Sequence, residues 1–475
     1  MEPVQVLSLP FLYLVAASLV LYYALPAPAQ PWVLVTGSLL YYATWGWPLV
    51  PILVGVSLAT FELGPRVRHG PRRRLWLAAG VLLNLSALLG LKYVPLLWPG
   101  AGNWLATLSQ AGGLLAARVF VALGVSYYTL QGISYLVDVH QGALEPSRSR
   151  LQFVLYMVYF PRLVSGPIER AREFLPQLSQ DRQVDQAAIG RSVSLIALGV
   201  MRKVVIADPL RALIPSDLLQ PPLAAQGGAL WVWLAALVFS IYNDFAGYTD
   251  IVRGVSGLFG IELSRNFEQP LLSWNFTQFW NRWHISLGHW LRDYIYYPLT
   301  RALLRRGRNP RRAAVVVAPA LAAMLASAAW HQLSGPVLVW GAINGAYLVV
   351  ERALTLRTGT GARAASPLWL RALGVPLVWA LALVAAVPFI SGQVWPVEAW
   401  HALIPPPYDA GVDVRPLLFM AIGLGLDLWQ RAAGAELFFL RWPAWARAAG
   451  LVLVLAGSLY FAAFDWQPAF VYQGF

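Results

Sequence analysis

Apolar runs separated by short polar loops follow one another along almost the whole chain. About 20 apolar residues are needed to cross the roughly 30 Å hydrocarbon core of a bilayer. Candidate spanning or membrane-buried segments lie near residues 8–25, 31–44, 48–62, 75–97, 113–137, 150–164, 189–206, 228–245, 314–331, 336–350, 372–392, 416–430 and 448–465. Several are too short to cross alone and fit re-entrant segments. The pattern predicts an all-α polytopic membrane protein with about 11 transmembrane helices plus re-entrant or interfacial helices.

We interpret residues 1–475 as a single transmembrane domain. The sequence has no tandem repeat, no Gly/Ser linker and no shift in composition of the kind that marks a soluble second domain. Residues 1–5 contain no basic segment, and no small-residue cleavage site follows the first apolar run. We therefore expect that run to be a retained span and not a cleaved signal peptide.

Composition agrees with a membrane bundle and excludes several other classes of protein. Hydrophobic residues make up 58% of the chain and charged residues only 12%, about half the charged share of a soluble domain. The net charge of +13 comes from arginines in short loops between apolar runs. That placement is typical of membrane topology, so we expect no nucleic-acid partner. The absence of cysteine excludes disulfides, thiolate metal sites and a cysteine nucleophile.

The charged loops also indicate an orientation. The arginine-rich stretches 66–74 and 301–312 should be cytoplasmic by the positive-inside rule. Residues 98–112 carry no charge, and residues 393–413 carry only acidic ones, so both loops should face outside. Threading the spans through these loops predicts that the N-terminus and the C-terminus are both extracytoplasmic.

Residues 266–299 depart from the pattern of simple spans, because they mix aromatic and charged side chains. The ionisable residues here are Glu268, Arg282, His284, His289, Arg292 and Asp293. A charged side chain that faces lipid costs about 2.5–3.5 kcal/mol on insertion scales. We therefore expect these groups to face the bundle interior, a water-filled cavity or the interface, and their density suggests a site.

Two histidines are candidates for chemistry. His331 stands among small and apolar residues between two apolar segments, where a histidine needs a partner or a function; a helix-end histidine bonded to a backbone carbonyl is the alternative. His284 is flanked by tryptophans, and its alternative is an interfacial aromatic belt. His289 follows His284 by five residues, so the two point about 140° apart on a helix and are not expected to share a metal ion. The remaining histidines, His69, His140 and His401, are interpreted as surface or segment-end residues.

Other catalytic motifs are missing from the sequence. It contains no Gly-x-Ser-x-Gly elbow, and no phosphate-binding or dinucleotide-binding glycine pattern. Ser165, Gly166 and Pro167 lie in YFPRLVSGPIERAREF, where prolines and glycine break a helix. We interpret this stretch as a buried re-entrant turn, which requires protein or water around its backbone.

Six segments, in order, resemble the bacterial branch of the membrane-bound O-acyltransferase family, the branch of the alginate O-acetyltransferase membrane subunit. These segments are residues 121–142, 159–178, 199–208, 243–267, 280–299 and 329–352. The family's invariant histidine follows a tryptophan, and here the corresponding pair is Trp330 and His331. A second functional histidine lies in an Arg-Trp-His-Ile-Ser-Leu motif, which makes it His284 in this chain.

The resemblance implies helices around a central tunnel or funnel and assigns the remaining site. It implies catalytic roles for His331 and His284. Substrate-binding residues would be Asn281, Arg282, Trp283, Trp330, Ser165, Gly166, Pro167, Asp244 and Tyr248. Two positions depart from the family's pattern: Gln332 replaces a common glycine, and Asn344 stands where relatives often have a histidine. Either could alter the tunnel wall, and neither removes the invariant histidine.

The final six residues, 470–475, read FVYQGF and resemble a Phe-x-Tyr-x-x-Phe motif of acyl-exporting members or of a small separate partner. The resemblance implies that Tyr472 is an acyl relay. The alternative is an aromatic interfacial anchor. The predicted topology, which independently places this tail outside, favours the relay.

The implied function is O-acyl transfer across the bacterial inner (cytoplasmic) membrane. The donor would be acetyl-CoA, another acyl-CoA or a carrier-protein thioester on the cytoplasmic side. The acceptor would be an extracytoplasmic polysaccharide, reached with an SGNH/esterase-like transferase partner. Membrane lipid surrounds the protein, and no bound cofactor or metal is implied. The alternatives are D-alanyl or peptidoglycan O-acyl transfer by the same fold, and a non-catalytic transporter or structural subunit of a polysaccharide export complex.

Overall fold

A computed structural model describes most of the chain, and the regular elements in its described part are all helices. The described residues are 4–94, 124–180, 185–219, 227–305, 307, 309, 313–358, 367–395, 401 and 413–462. They fall into two compact units. One comprises the described residues of Met1–Gly199 and Tyr248–Arg265, and the other those of Val200–Gly247 and Asn266–Pro468. The predicted all-α class is confirmed, while the single domain over 1–475 stays a prediction.

The first unit is built from helices α1 to α8 and from residues 248–258 of the long helix Gly227–Leu258. Their bounds are α1 Leu9–Ala24, α2 Gln30–Gly46, α3 Leu49–His69, α4 Arg73–Leu88, α5 Val125–Gln141, α6 Arg150–Val158, α7 Ala171–Phe174 and α8 Gln186–Val200. A π-helical turn, Leu89–Tyr93, extends α4, and 3-10 turns cover Ala27–Ala29 and Leu175–Ser179. Helices α3, α4 and α5 pack against one another.

The second unit contains the long polar stretch. Its helices are α9 Asp208–Leu213, α10 Gly227–Leu258, α11 Phe276–Arg282, α12 Ile285–Leu291, α13 Tyr297–Arg305, α14 Ala313–His331, α15 Gly335–Thr358, α16 Leu368–Ser391, α17 Arg415–Ala433 and α18 Ala444–Ala462. Only the part of α10 up to Gly247 belongs to this unit. π-helical turns at Met201–Ala207 and Arg292–Tyr296, and 3-10 turns at Pro270–Leu272 and Phe438–Arg441, complete it.

Seven described helices are long and apolar enough to cross a membrane. They are Leu49–His69, Arg73–Tyr93, Gly227–Leu258, Ala313–His331, Gly335–Arg357, Leu368–Ser391 and Ala444–Phe461. Helices α1 and α2 have 16 and 17 residues, slightly less than the about 20 needed for a full crossing. The chain is a multi-pass membrane protein, and the predicted count of about 11 spans stays a prediction.

Close helix packing shapes the α14–α15 hairpin, which is the most extensive helix pair of the second unit. Gly341 and Gly345 face α14 so closely that an added Cβ would meet Ala328 Cβ at 2.7 Å and a Leu321 side-chain carbon at 2.7 Å, respectively. Small residues four apart allow two membrane helices to approach in this way. The hairpin fixes the end of α14, where His331 stands.

Two predicted segments differ in length from the helices observed. The segment predicted near 150–164 is helical only over Arg150–Val158, about 14 Å at 1.5 Å per residue. Residues 159–166 then form a buried, non-helical turn. The segment predicted near 228–245 continues instead to Leu258, giving a helix of 32 residues. Its added residues include buried Thr249 and Asp250, which hydropathy alone does not assign to a span.

Candidate functional site

His331 is the last residue of α14, and aromatic rings surround it. It is 6% exposed. Its ring centroid lies 4.7 Å from that of Trp330, 5.3 Å from Phe389 on α16 and 5.9 Å from Trp340 on α15. All three rings meet the imidazole nearly edge-on, at 75° to 90°. The α14–α15 hairpin and α16 therefore hold the imidazole in a mostly apolar enclosure.

His284 occupies a strained turn between α11 and α12. Its backbone is left-handed, with φ 45° and ψ 55°, a conformation that costs a residue with a Cβ about 1–3 kcal/mol. Hydrogen bonds on both sides hold it: the Glu268 N–H donates to the Arg282 carbonyl at 3.0 Å, and the Ile285 N–H donates to the Asn266 carbonyl at 2.9 Å. Strain that surrounding structure maintains is a mark of functional sites.

The His284 side chain is 2% exposed, so it does not lie at the surface as an aromatic-belt residue would. Its ring packs edge-on against Phe245 of α10 at 5.0 Å. Burial lowers the pKa of His284 to about 3, because a charged imidazole loses its hydration there. The imidazole is therefore neutral at pH 7, and it can donate one hydrogen bond and accept another.

Trp330 connects the two histidines. Its indole lies 6.0 Å from the His284 ring at 76° and 4.7 Å from the His331 ring at 75°, measured between centroids. Edge-to-face contacts of this kind are worth about 0.5–1.5 kcal/mol each beyond the buried area. The structure thus brings His284, Trp330 and His331 into one aromatic cluster of the second unit.

Three predicted substrate-binding residues directly precede His284 in the chain, and their side chains are exposed to different degrees. Trp283 is half-buried and stacks on Phe279 at 5.6 Å and 18°. Arg282 is half-buried and contributes the carbonyl bonded to Glu268, while Asn281 is exposed. Roles for these three side chains in substrate binding stay predictions.

Asp244, another predicted substrate-binding residue, belongs to a buried ionic cluster. Lys203 Nζ lies 2.7 Å from Asp244 Oδ1 and 2.6 Å from Asp208 Oδ1. All three side chains are at least 93% buried. Burial raises the pKa of Asp208 to about 6, since desolvation disfavours its charged form more than Lys203 stabilises it.

Ser165, Gly166, Pro167 and Tyr248 lie in the first unit. The four are buried, and the Ser165 N–H donates to the Tyr248 hydroxyl at 3.3 Å. Gly166 sits so close to Arg162 that an added Cβ would lie 2.4 Å from the Arg162 Cα. The non-helical turn predicted at this place is confirmed, and its contribution to a substrate site stays a prediction.

The remaining sequence predictions fall in different places. Gln332 is exposed next to His331. Asn344 is 2% exposed, and its side-chain amide donates to the Trp340 carbonyl at 2.9 Å. It therefore supports the helix turn that carries Trp340. Tyr472 and the tail 470–475 lie outside the described residues. Within the described part, no group of three or more His, Asp or Glu side chains is arranged to hold a metal ion.

Comparison with known proteins decides the family. The sequence model of the membrane-bound O-acyltransferase family matches residues 143–387, just over half of the chain. The chain belongs to this family. The matched region contains the His284 turn and all of the α14–α15 hairpin.

Curated relatives of the chain carry three kinds of name. The "Probable alginate O-acetylase" of Azotobacter vinelandii is 30% identical over 71% of this chain and 66% of its own length. The "Peptidoglycan O-acetyltransferase" of Helicobacter pylori is 27% identical over 68% and 65%. The "Teichoic acid D-alanyltransferase" of Streptococcus thermophilus is 29% identical over 49% and 57%. The chain thus spans 66%, 65% and 57% of the length of these three relatives, respectively.

Sequence reasoning missed a second buried ionic cluster of this family member, centred on Arg202. Its guanidinium is 4% exposed and lies 2.6 Å from Asp427 Oδ1, whose side chain is fully buried. The sequence feature that could have indicated this cluster is the pair of charged residues Arg202 and Lys203 inside the apolar run 199–208. Charged residues in such a run mark a functional or structural site.

Proposed function

We propose that the chain is an O-acyltransferase that moves an acyl group, in the simplest case acetyl, from a cytoplasmic thioester across the membrane. The acyl group then modifies hydroxyl groups of an extracytoplasmic polysaccharide. One observation carries the proposal: His284 and His331 are both buried and both pack on Trp330. The family membership and the names of the relatives, two acetyltransferases and a D-alanyltransferase, support the same reaction class.

His331 would act as the general base. A neutral imidazole is the side chain that most often accepts a proton in general-base catalysis. In the transfer step the hydroxyl oxygen bonds to the acyl carbon, its proton moves to His331, and the carbon–sulfur bond breaks. The proton then passes to the leaving thiolate, which restores the neutral imidazole. The apolar rings of Trp330, Trp340 and Phe389 limit water around this base, and so limit hydrolysis of the thioester.

His284 would stabilise the developing oxyanion. Because its imidazole is neutral at pH 7, one ring N–H can donate to the thioester carbonyl oxygen as negative charge grows there. A preorganised donor of this kind is worth about 10²–10³ in rate. The left-handed turn fixes its direction, since hydrogen bonds on both sides hold the backbone.

Tyr472 would carry the acyl group as an ester before transfer to the polysaccharide. A tyrosine hydroxyl near pKa 10 is a weak nucleophile and needs a general base such as His331. This role requires the predicted extracytoplasmic C-terminus, and an SGNH/esterase-like partner would complete the transfer outside. It requires the bacterial inner membrane as the location, with acetyl-CoA or a carrier-protein thioester as the donor.

The test uses purified full-length protein in detergent and acetyl-CoA labelled in the acetyl group. His331→Ala should lower acyl transfer by about 10²–10⁴, the usual contribution of general-base catalysis. His289→Ala is the matched control, because His289 is an exposed histidine of the same unit. Full activity of a folded His331→Ala protein would remove His331 from the mechanism. Tyr472→Phe should abolish labelled ester on the tail in detergent, and export of the acyl group by protein reconstituted into sealed vesicles.

The same assay separates the alternatives. A D-alanyl donor on a carrier protein, used in place of acetyl-CoA, tests the activity suggested by the name of the Streptococcus thermophilus relative. A transporter or a structural subunit of an export complex would neither hydrolyse a thioester nor transfer its acyl group. If neither thioester hydrolysis nor acyl transfer occurs with acetyl-CoA or with the D-alanyl donor, acyl transfer from these donors is excluded.

A further inference from the structure

The buried cluster around Arg202 is a fully hydrogen-bonded ionic network. Arg202 donates to Asp427 Oδ1 at 2.6 Å, to Asn243 Oδ1 at 3.0 Å and to Gln430 Oε1 at 3.1 Å. The Tyr242 hydroxyl donates to the second carboxylate oxygen of Asp427 at 2.9 Å. A buried pair is retained only where additional hydrogen bonds satisfy both charges. The network therefore links the π turn Met201–Ala207, α10 and α17.

Gln430 extends this network to the polar stretch before α11. Its Oε1 atom accepts from Arg202 and also from Gln269 Nε2, at 3.2 Å. Gln430 Nε2 donates to the Glu436 carbonyl at 2.9 Å, which fixes the orientation of the amide. Next to it on α17, Arg431 donates to the Leu272 carbonyl at 2.6 Å. Helix α17 thus holds both ends of the short segment 269–272.

Gln269 is itself left-handed, with φ 42° and ψ 58°, and it directly follows the segment that pairs with the His284 turn. Glu268 N–H bonds to the Arg282 carbonyl, and the Asn266 carbonyl accepts from Ile285 N–H. The Asn266 side chain accepts further from the backbone and the hydroxyl of Ser286, at 3.2 and 3.0 Å. Two strained turns therefore face each other across one set of hydrogen bonds, and Gln430 holds one of them.

We propose that Gln430 and Gln269, anchored on the Arg202–Asp427 ion pair, are positioning residues that hold the left-handed turn of His284. Each acts through the backbone of residues 266–269, to which the Gln269–Gln430 hydrogen bond leads. The effect on acyl transfer rests on the proposed function, whereas the effect on the turn does not. Asp427 and Gln430 lie beyond residue 387, where the family match ends, so this support comes from outside the matched region.

The experiment measures hydrogen exchange of peptides that cover residues 283–288, in full-length protein in detergent. The Ile285 and Ser286 amides are bonded to Asn266, so their exchange reports opening of the turn. Gln430→Leu removes the acceptor and should speed exchange there about tenfold, which corresponds to the loss of one hydrogen bond of about 1.4 kcal/mol. Gln430→Glu keeps an acceptor for Arg202 and Gln269 but loses the donor to the Glu436 carbonyl, so exchange should lie between that of wild type and that of Gln430→Leu.

Gln393→Leu is the matched control, because Gln393 is an exposed glutamine of the same unit. Exchange that is unchanged in Gln430→Leu would overturn the proposal. So would exchange that rises equally along Ala313–His331, since this would show general loosening. If Gln430→Leu does not fold, Gln269→Ala, which removes only the donor, carries the same test. Acyl transfer should fall about tenfold in kcat with KM unchanged, and a wild-type protein without acyl transfer would refute the proposed function while the exchange result stands.

Discussion

Gly341→Ala should displace the hairpin that carries His331. An added Cβ at Gly341 would lie 2.7 Å from the Ala328 Cβ and 2.8 Å from the Met324 carbonyl oxygen. Neither atom can swing aside, because one is a methyl group on the helix and the other is backbone. Ordinary contact is 3.4–4 Å, so α14 and α15 must separate by roughly 1 Å, a distance that overpacked cores accommodate only by shifting backbone.

The expected loss in free energy of unfolding of Gly341→Ala follows from a comparison with Gly425→Ala. Both glycines lie inside helices, so both variants gain about 1 kcal/mol of helix propensity. Gly425 has no atom within 4 Å of an added Cβ, and its variant should keep the full gain. At Gly341, overpacking subtracts about 1–3 kcal/mol. The two variants should therefore differ in free energy of unfolding by about 1–3 kcal/mol, with Gly341→Ala the less stable.

Equilibrium unfolding in mixed detergent micelles measures this difference, and acyl transfer measures its effect on the site. Ala328 is one helical turn before His331, and Trp340, which contacts the His331 ring, precedes Gly341. A displacement of about 1 Å should lower kcat by about 10², while Gly425→Ala should leave it unchanged. Equal stability and equal activity of the two variants would refute the close packing and its link to His331.

Three further predictions test other parts of the site. The pKa of His284 is about 3 in the folded protein and near 6.5 in the unfolded one, so between these values only the unfolded state binds the proton. The free energy of unfolding should therefore fall by about 1.4 kcal/mol per pH unit below 6.5. Unfolding measured across pH should lose this component in His284→Gln and keep it in His289→Gln, which changes an exposed histidine. Asp427→Ala leaves Arg202 buried without its carboxylate and should lower the free energy of unfolding by about 3–5 kcal/mol; an unchanged value would contradict the buried pair. Trp330→Ala removes the ring shared by both imidazoles and should destabilise the protein by about 3–5 kcal/mol, with Trp330→Phe retaining more stability and more acyl transfer.

The helices could be predicted because each span needs a continuous apolar run, and each predicted segment overlaps an observed helix. Their ends were less predictable. Except for Arg162, the residues from Phe153 to Val164 are apolar or aromatic or are proline, yet α6 stops at Val158. Pro161 disfavours helical geometry at Phe160, and turn residues around Gly166 complete the break. In α10 the opposite happens. Asp244 is paired with buried Lys203 and Asp250 with half-buried Arg253, so polar residues at which a span was predicted to end continue the helix.

The histidines could be found because an ionisable residue in an apolar context is unusual, and the family motifs then distinguished His331 and His284 from the rest. Their common contact with Trp330 was not readable, because it depends on how the His284 turn packs on α14. Arg202 and Asp427 are 225 residues apart. Hydropathy marks each as unfavourable in a membrane and gives no information on which carboxylate satisfies which cation.

Residues beyond 387, where the family match ends, also contact the His331 ring and the Arg202 cluster. Phe389 packs on the His331 ring at 5.3 Å, and Asp427 supplies the counter-charge of Arg202. Without these residues His331 would gain access to water, and Arg202 would be a buried charge without its partner, which costs several kcal/mol. Substitutions at Phe389 or Asp427 are therefore expected to change the surroundings of His331 and of Arg202 while every matched motif stays intact.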